Sequence, residues 1–200
     1  MNKIILWFYL IIIPISFFSC SKIENQIVVK KIYYKISSQK DSVIGFSLRE
    51  YEFKNDSITE KYVSTNLEGK KLIAFKQVFY KKGSDLFIFS NVQDDNEKYL
   101  YFRKTKKDTC FFVDRKLDNF FICTKGVINF EQYKNVYKLY YDEKGSEPKK
   151  ESLLLNKDYT ILARFEDSFN YRKEIITNEN EVDAAVKSRF DLLTKKIAWW

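Results

Sequence analysis

A long succession of short apolar runs, rich in aromatic and β-branched residues and each closed by a polar or glycine-containing break, constrains this chain more than any other feature. Runs of this length and composition read as strands. They lie near Ile27–Ile36, Val43–Phe53, Ile58–Ser64, Leu72–Tyr80, Leu86–Ser90, Tyr99–Arg103, Thr109–Val113, Phe120–Thr124, Val136–Tyr141, Glu151–Leu155 and Thr160–Phe165. The breaks are too short for crossover connections, so neighbouring runs must pair as antiparallel hairpins in a meander. Several runs, Leu86-Phe87-Ile88-Phe89 among them, are apolar on both faces. A flat sheet wetted along one side would leave half of these residues in water. A curved sheet whose second face is covered buries both sets.

The C-terminal segment supplies a cover. Val186, Phe190, Leu193, Ile197 and Trp200 recur at helical spacing. Asn178 with Glu181 three residues on has the pattern of a capping box. Glu179, Glu181 and Asp183 near the start and Lys195 and Lys196 near the end match the helix dipole. The expected fold is therefore mainly β (α+β): a curved antiparallel β-sheet meander or half-barrel with one C-terminal α-helix, 179–198, packed on it. A helix lying on a membrane surface, with Trp199 and Trp200 at the interface, is the alternative.

The N-terminal segment is of another kind. After Met1-Asn2-Lys3 come 15 residues without charge, Ile4 to Phe18, then Ser19-Cys20 and polar sequence. A permanent helical span takes about 20 apolar residues, so this run fits a signal-peptide core better. These first 20 residues resemble the bacterial lipoprotein signal, in which a small residue precedes a lipidated cysteine. Ser19 and Cys20 match that pattern; Phe17 and Phe18 are bulkier than it. The resemblance implies that Cys20 is alkylated with diacylglycerol, that cleavage occurs just before it, and that the chain is held on a membrane by acyl chains. Ordinary secretion needs small residues at the third and first positions before a cleavage point, and Ser19-Cys20-Ser21 is the one nearby candidate. An uncleaved anchor is the third reading. On the lipoprotein reading, residues 1–19 are signal, 20–26 a short tether and 27–200 a single β-rich domain. The location would be the cell envelope of a Gram-negative bacterium. The outer membrane is favoured because Ser21 is not the aspartate that retains some lipoproteins at the inner membrane.

Export makes disulfides persistent, and Cys110 and Cys123 are placed to form one. Thr109–Val113 and Phe120–Thr124 flank a polar turn. A hairpin folded symmetrically about Lys116 and Leu117 sets Val113 against Phe120 and Cys110 directly against Cys123. Directly opposed residues are close enough for a disulfide to span. Two buried free thiols are the other possibility.

Composition narrows the chemistry. The chain has no histidine, which excludes Ser-His-Asp and Cys-His nucleophilic systems and histidine-dependent zinc sites. No catalytic residue, metal ligand set or cofactor motif is recognised. Without residues 1–19 the formal charge is +7. Export argues against nucleic acid as the partner, and a genome rich in A and T would produce the same abundance of Lys, Asn, Ile, Phe and Tyr. Arg103, Lys104, Lys106 and Lys107 form a basic hairpin tip, either an anion-binding site or a solvated turn. Asp94-Asp95-Asn96-Glu97 lacks the spacing and glycine of a calcium loop. Asp114 and Asp118 flank a turn without the placement of an acid–base pair. The function expected is a non-catalytic envelope lipoprotein that binds a protein partner, with an immunity or inhibitor-type role among the options. A lipid- or lipopeptide-handling half-barrel is the alternative, and a glycosidase-like enzyme working by carboxylates alone is the third.

Overall fold

The structure is a computed structural model and describes residues 27–89, 98–114, 119–143, 150–167 and 172–199. The signal segment, Cys20, the tether, the acidic run 94–97, Asp118 and Trp200 lie outside these residues. Twelve strands are described: β1 Val28–Ser37, β2 Val43–Phe53, β3 Ser57–Asn66, β4 Lys71–Lys82, β5 Asp85–Phe89, β6 Lys98–Arg103, β7 Thr109–Asp114, β8 Asn119–Phe130, β9 Tyr133–Glu143, β10 Lys150–Leu155, β11 Ile161–Asp167 and β12 Arg172–Ile176.

The strands form one antiparallel sheet in the order β6-β5-β4-β3-β2-β1-β12-β11-β10-β9-β8-β7. Two six-stranded meanders, β1–β6 and β7–β12, thus meet where β1 pairs with β12, from Tyr34↔Ile176 to Ser37↔Lys173. β6 and β7 are the two edges, so the sheet is not closed into a barrel. It is nevertheless strongly curved. One face gathers Tyr34, Tyr51, Ile58, Phe79, Leu86, Phe102, Ile122, Leu139, Leu155 and Ile161 into a single core. The Phe102 ring of β6 meets Tyr137 of β9 edge-on at 5.7 Å, although eight strands separate them in the sheet. The curved meander with one C-terminal helix is the fold that apolar residues on both faces called for.

The outer face of β1–β3 is covered by α1, Ala184–Lys196. Phe190 is fully buried with Tyr33, Leu48, Val63 and Val182, and Val186, Leu193, Ile197 and Trp199 pack around them. The helix is shorter than its apolar period implied. Asn178 caps a separate 3-10 turn, Glu179–Glu181, by accepting the Asn180 N–H. Val182 then runs extended and buried against the sheet, and Asp183 caps α1 by accepting the Ala185 N–H at 2.6 Å. Glu181 does not close a capping box; its carboxylate accepts from Lys35 at 2.8 Å and from the Thr177 hydroxyl at 3.2 Å. At the other end the Ile197 N–H closes on Leu193 O, and Trp199 Nε1 donates to Thr194 O.

Two strand segments depart from the sequence reading. β12 was not expected, because Arg172-Lys173-Glu174 breaks any apolar alternation. β8 continues past Thr124 to Phe130, with shifts of register near Lys125 and Ile128. Gly126 lies in that extension, and a Cβ there would sit 2.7 Å from the Lys106 carbonyl oxygen. The glycine lets the β6–β7 loop cross close over β8, with the Gly126 N–H donating to Asp108 Oδ1 at 2.9 Å.

Candidate functional site

The two cysteines behave as the symmetric hairpin requires. Val113 pairs with Phe120 and Cys110 with Cys123, and the cysteines form a disulfide with a Cα separation of 4.0 Å. Cys123 is buried, whereas Cys110 is exposed. The bond therefore clamps the edge strand β7, which has a strand neighbour on one side, to β8.

The basic tip is divided by the fold. Arg103 donates to Asp85 through Nε at 2.7 Å and also through Nη2, and its guanidinium lies 4.6 Å from the Phe111 ring centroid. The bonds from Arg103 hold the Asp85 carboxyl below the usual carboxylate range. Lys104 places Nζ over the Tyr159 ring at 3.8 Å and donates to Lys157 O at 2.5 Å; burial lowers its pKa. Arg103 thus ties β6 to β5 and β7, and Lys104 holds the β6–β7 loop against the β10–β11 turn. Lys106 and Lys107 are exposed.

A second charged cluster, on which no sequence motif converged, lies inside the curve. Arg49 of β2, Glu60 of β3 and Glu174 of β12 are all buried. Arg49 Nη1 donates to Glu60 Oε1, and Nη2 donates to Glu174 Oε2 at 2.8 Å. Ser47 Oγ donates to the other oxygen of Glu174, and Tyr51 Oη donates to Glu60 at 3.3 Å. The guanidinium carbon lies 4.4 Å from the Tyr62 ring centroid and 5.4 Å from that of Tyr34. Burial alone would raise the pKa of Glu174, but Arg49 and the Ser47 hydroxyl outweigh it and hold the carboxyl low. The Tyr34 and Tyr51 hydroxyls are pushed far up, chiefly by burial. Glu60 has the parity of Ile58 and Tyr62 in β3, so its place on the inner face follows from alternation. Its meeting with Glu174 does not, because 114 residues separate them.

The cluster is closed to all but the smallest molecules. A hollow of about 20 Å³, lined by Ile36, Tyr62, Arg164, Glu166, Arg172 and Glu174, reaches it, which is room for about one water. Larger depressions lie outside the curve. An open groove of about 580 Å³ runs beside the end of α1, with Phe75, Leu193, Ile197 and Trp199 on its floor and Lys71, Lys76 and Lys196 around it. A second, of about 360 Å³, lies at Asp56, Tyr80, Lys81, Lys82, Phe87 and Lys98. Among the described residues no group of acidic or cysteine side chains is arranged to hold a metal ion, and no helix is long and apolar enough to cross a membrane. Asp114 stands opposite Asn119 at the end of the β7–β8 hairpin. Compared with protein-family models, curated proteins and solved structures, the chain matches none.

Proposed function

We propose that this chain is a non-catalytic lipoprotein of the bacterial cell envelope, anchored through diacylglycerol on Cys20, whose outer surface binds a protein partner. An immunity or inhibitor-type role is one form of that reading. The observation that carries it is the filled inner face. A half-barrel that stores a ligand keeps its concave side open, whereas here Phe102, Ile122, Leu139, Leu155 and Ile161 pack there against one another. Recognition then falls to the outside. The edge strand β7 suits a protein partner, because among the described residues its outer side has no strand neighbour and Phe112 upon it is 57% exposed.

A second reading, lipid or lipopeptide handling, has support from one place. The groove beside α1 combines an apolar floor with a lysine rim, a pairing that suits an anionic amphiphile. The carboxylate-only enzyme draws no support from Glu60 and Glu174, which converge on a buried arginine rather than across a cleft.

Affinity capture of the mature protein from detergent-solubilised envelopes, with protein and lipid analysed together, separates these readings. The expected result is a stoichiometric protein whose retention is lost in Phe112→Glu. Stoichiometric lipid beyond the anchor, lost in Trp199→Glu, would transfer the function to the groove. The anchor has its own test. Cys20→Ala should abolish detergent-phase partitioning and normal processing, and a Cys20→Ala protein that still partitions as a membrane species would overturn it.

A further inference from the structure

Among the described residues the two ends of the sheet differ in charge. In a meander alternate turns share an end. The turns 54–56, 83–84, 104–108, 131–132 and 156–160 therefore lie together at the end where β1 begins, since Val28 pairs with Phe53. Hydrogen bonds join several of them into one surface. Lys81 Nζ donates to Lys54 O at 2.7 Å, the Lys104 N–H to Ser84 O at 3.1 Å, and Lys104 Nζ to Lys157 O.

At this end the fold absorbs acids and leaves lysines free. Asp85 is held by Arg103, Asp108 by the Gly126 N–H, and Asp158 by Lys30 at 3.2 Å and the Thr160 N–H at 3.1 Å. Asp56 and Glu131 remain as exposed carboxylates. Against them stand Lys54, Lys82, Lys106, Lys107 and Lys157, all exposed, with no carboxylate in ion-pair contact among the described residues. Ile27, Val28 and Val29, each more than half exposed, lie beside them where the chain enters the sheet. The described turns at the opposite end, 38–42 and 67–70, balance Lys40 and Lys70 with Asp41 and Glu68.

We propose that this lysine-bearing end docks on the anionic phospholipid headgroups of the membrane that holds the N-terminus. The inference rests on the lipid anchor at Cys20. Six residues, 21–26, separate Cys20 from Ile27, and a chain extends at most about 3.5 Å per residue. The end at which β1 starts therefore stays within about 25 Å of the lipidated cysteine, while the far end of the sheet is one strand length further away. Tethering at that distance makes weak contacts count, because the effective concentration of the surface is high. Each lysine close to an anionic leaflet strengthens association roughly fivefold, and the attraction fades over a Debye length of about 8–10 Å. Exposed Ile27–Val29 would enter the interfacial region alongside the lysines.

The test uses mature lipidated protein in vesicles of phosphatidylcholine alone, and of phosphatidylcholine with phosphatidylglycerol. Lysines are acetylated briefly and read site by site by mass spectrometry. With phosphatidylglycerol, Lys82, Lys106, Lys107 and Lys157 should react roughly fivefold more slowly or less, while Lys40 and Lys70 keep their rates. Raising the salt should abolish the difference. The variant Lys54→Gln/Lys82→Gln/Lys106→Gln/Lys107→Gln should lose protection at Lys157 and still float with the vesicles. Flotation with unchanged labelling at both ends overturns the docking and leaves the anchor intact. Protection at Lys40 and Lys70 instead overturns it by reversing the orientation. Failure to float with either vesicle overturns the anchor, and the docking falls with it.

Discussion

Arg49 Nη2 donates to Glu174 Oε2 at 2.8 Å, joining β2 in the first meander to β12 in the second across their short junction. Two further contacts cross the same line: Tyr34 Oη donates to Ile161 O at 2.6 Å, and the Ile161 N–H donates to Tyr51 Oη at 3.3 Å. A polar clasp within an apolar core holds the two halves together. Removing one member of a buried ion pair is costly because it strands an unpaired charge, and about 3–5 kcal/mol is typical. Arg49→Met should therefore lower the urea midpoint sharply by leaving Glu60 and Glu174 buried without a cation. Adding Glu60→Gln and Glu174→Gln to it should recover much of the loss. Additive losses in the triple variant would show that the clasp does not act as a unit.

The pH dependence of stability follows from the same groups. The Glu174, Asp85 and Asp158 carboxyls sit below their ordinary values in the folded chain. Unfolded, such groups titrate near pH 4. Their stabilisation is complete above about pH 4 and is lost as the pH falls through the folded values. Tyr34 and Tyr51 are raised by burial; their contribution is complete below about pH 10, where the unfolded phenols ionise, and is lost on going higher. Urea midpoints should form a plateau between these limits and fall on both sides. A midpoint unchanged down to about pH 3 would mean that the carboxyl bonds contribute nothing net.

The Cys110–Cys123 disulfide fastens an edge strand. Closing a loop of about 14 residues stabilises by roughly 3 kcal/mol in the chain-entropy account. Cys110→Ser/Cys123→Ser should lose about that much and should speed hydrogen exchange in Thr109–Asp114 before the rest of the sheet. Non-reducing peptide mapping of the mature protein should show the two cysteine peptides linked. Quantitative alkylation of both thiols without reductant would contradict the pairing.

Phe190 is wholly buried beneath α1, and truncating a buried phenylalanine to alanine costs about 3–5 kcal/mol. Phe190→Ala should lower the melting temperature markedly, whereas Leu192→Ala, at an exposed position of the same helix, should leave it almost unchanged. Deleting residues 178–200 should prevent cooperative folding in lipid-free solution. A truncated chain that melts cooperatively at the original temperature would free the apolar face of the helix for a membrane or a partner.

The sequence by itself determined the local elements and the local register. Strand runs, the helical stripe at Val186, Phe190 and Leu193, and the opposition of Cys110 and Cys123 each rest on residues within a few positions of one another, where alternation, period and hairpin symmetry act directly. The tertiary structure alone decided what lies far apart in the chain. β12 was illegible because its core-facing residue is Glu174, a carboxylate that alternation assigns to water. Its burial becomes tolerable only once Arg49 arrives from β2 and Ser47 supplies a second bond. The split of the terminal segment into a 3-10 turn and α1 depended on Val182 finding Tyr33, Leu48 and Val63. Arg103 and Lys104 read as part of one basic tip, yet Asp85 and Tyr159 claimed both for the fold and left Lys106 and Lys107 exposed. A charged side chain seeks whichever partner folding brings near, and no local pattern records which partner that is.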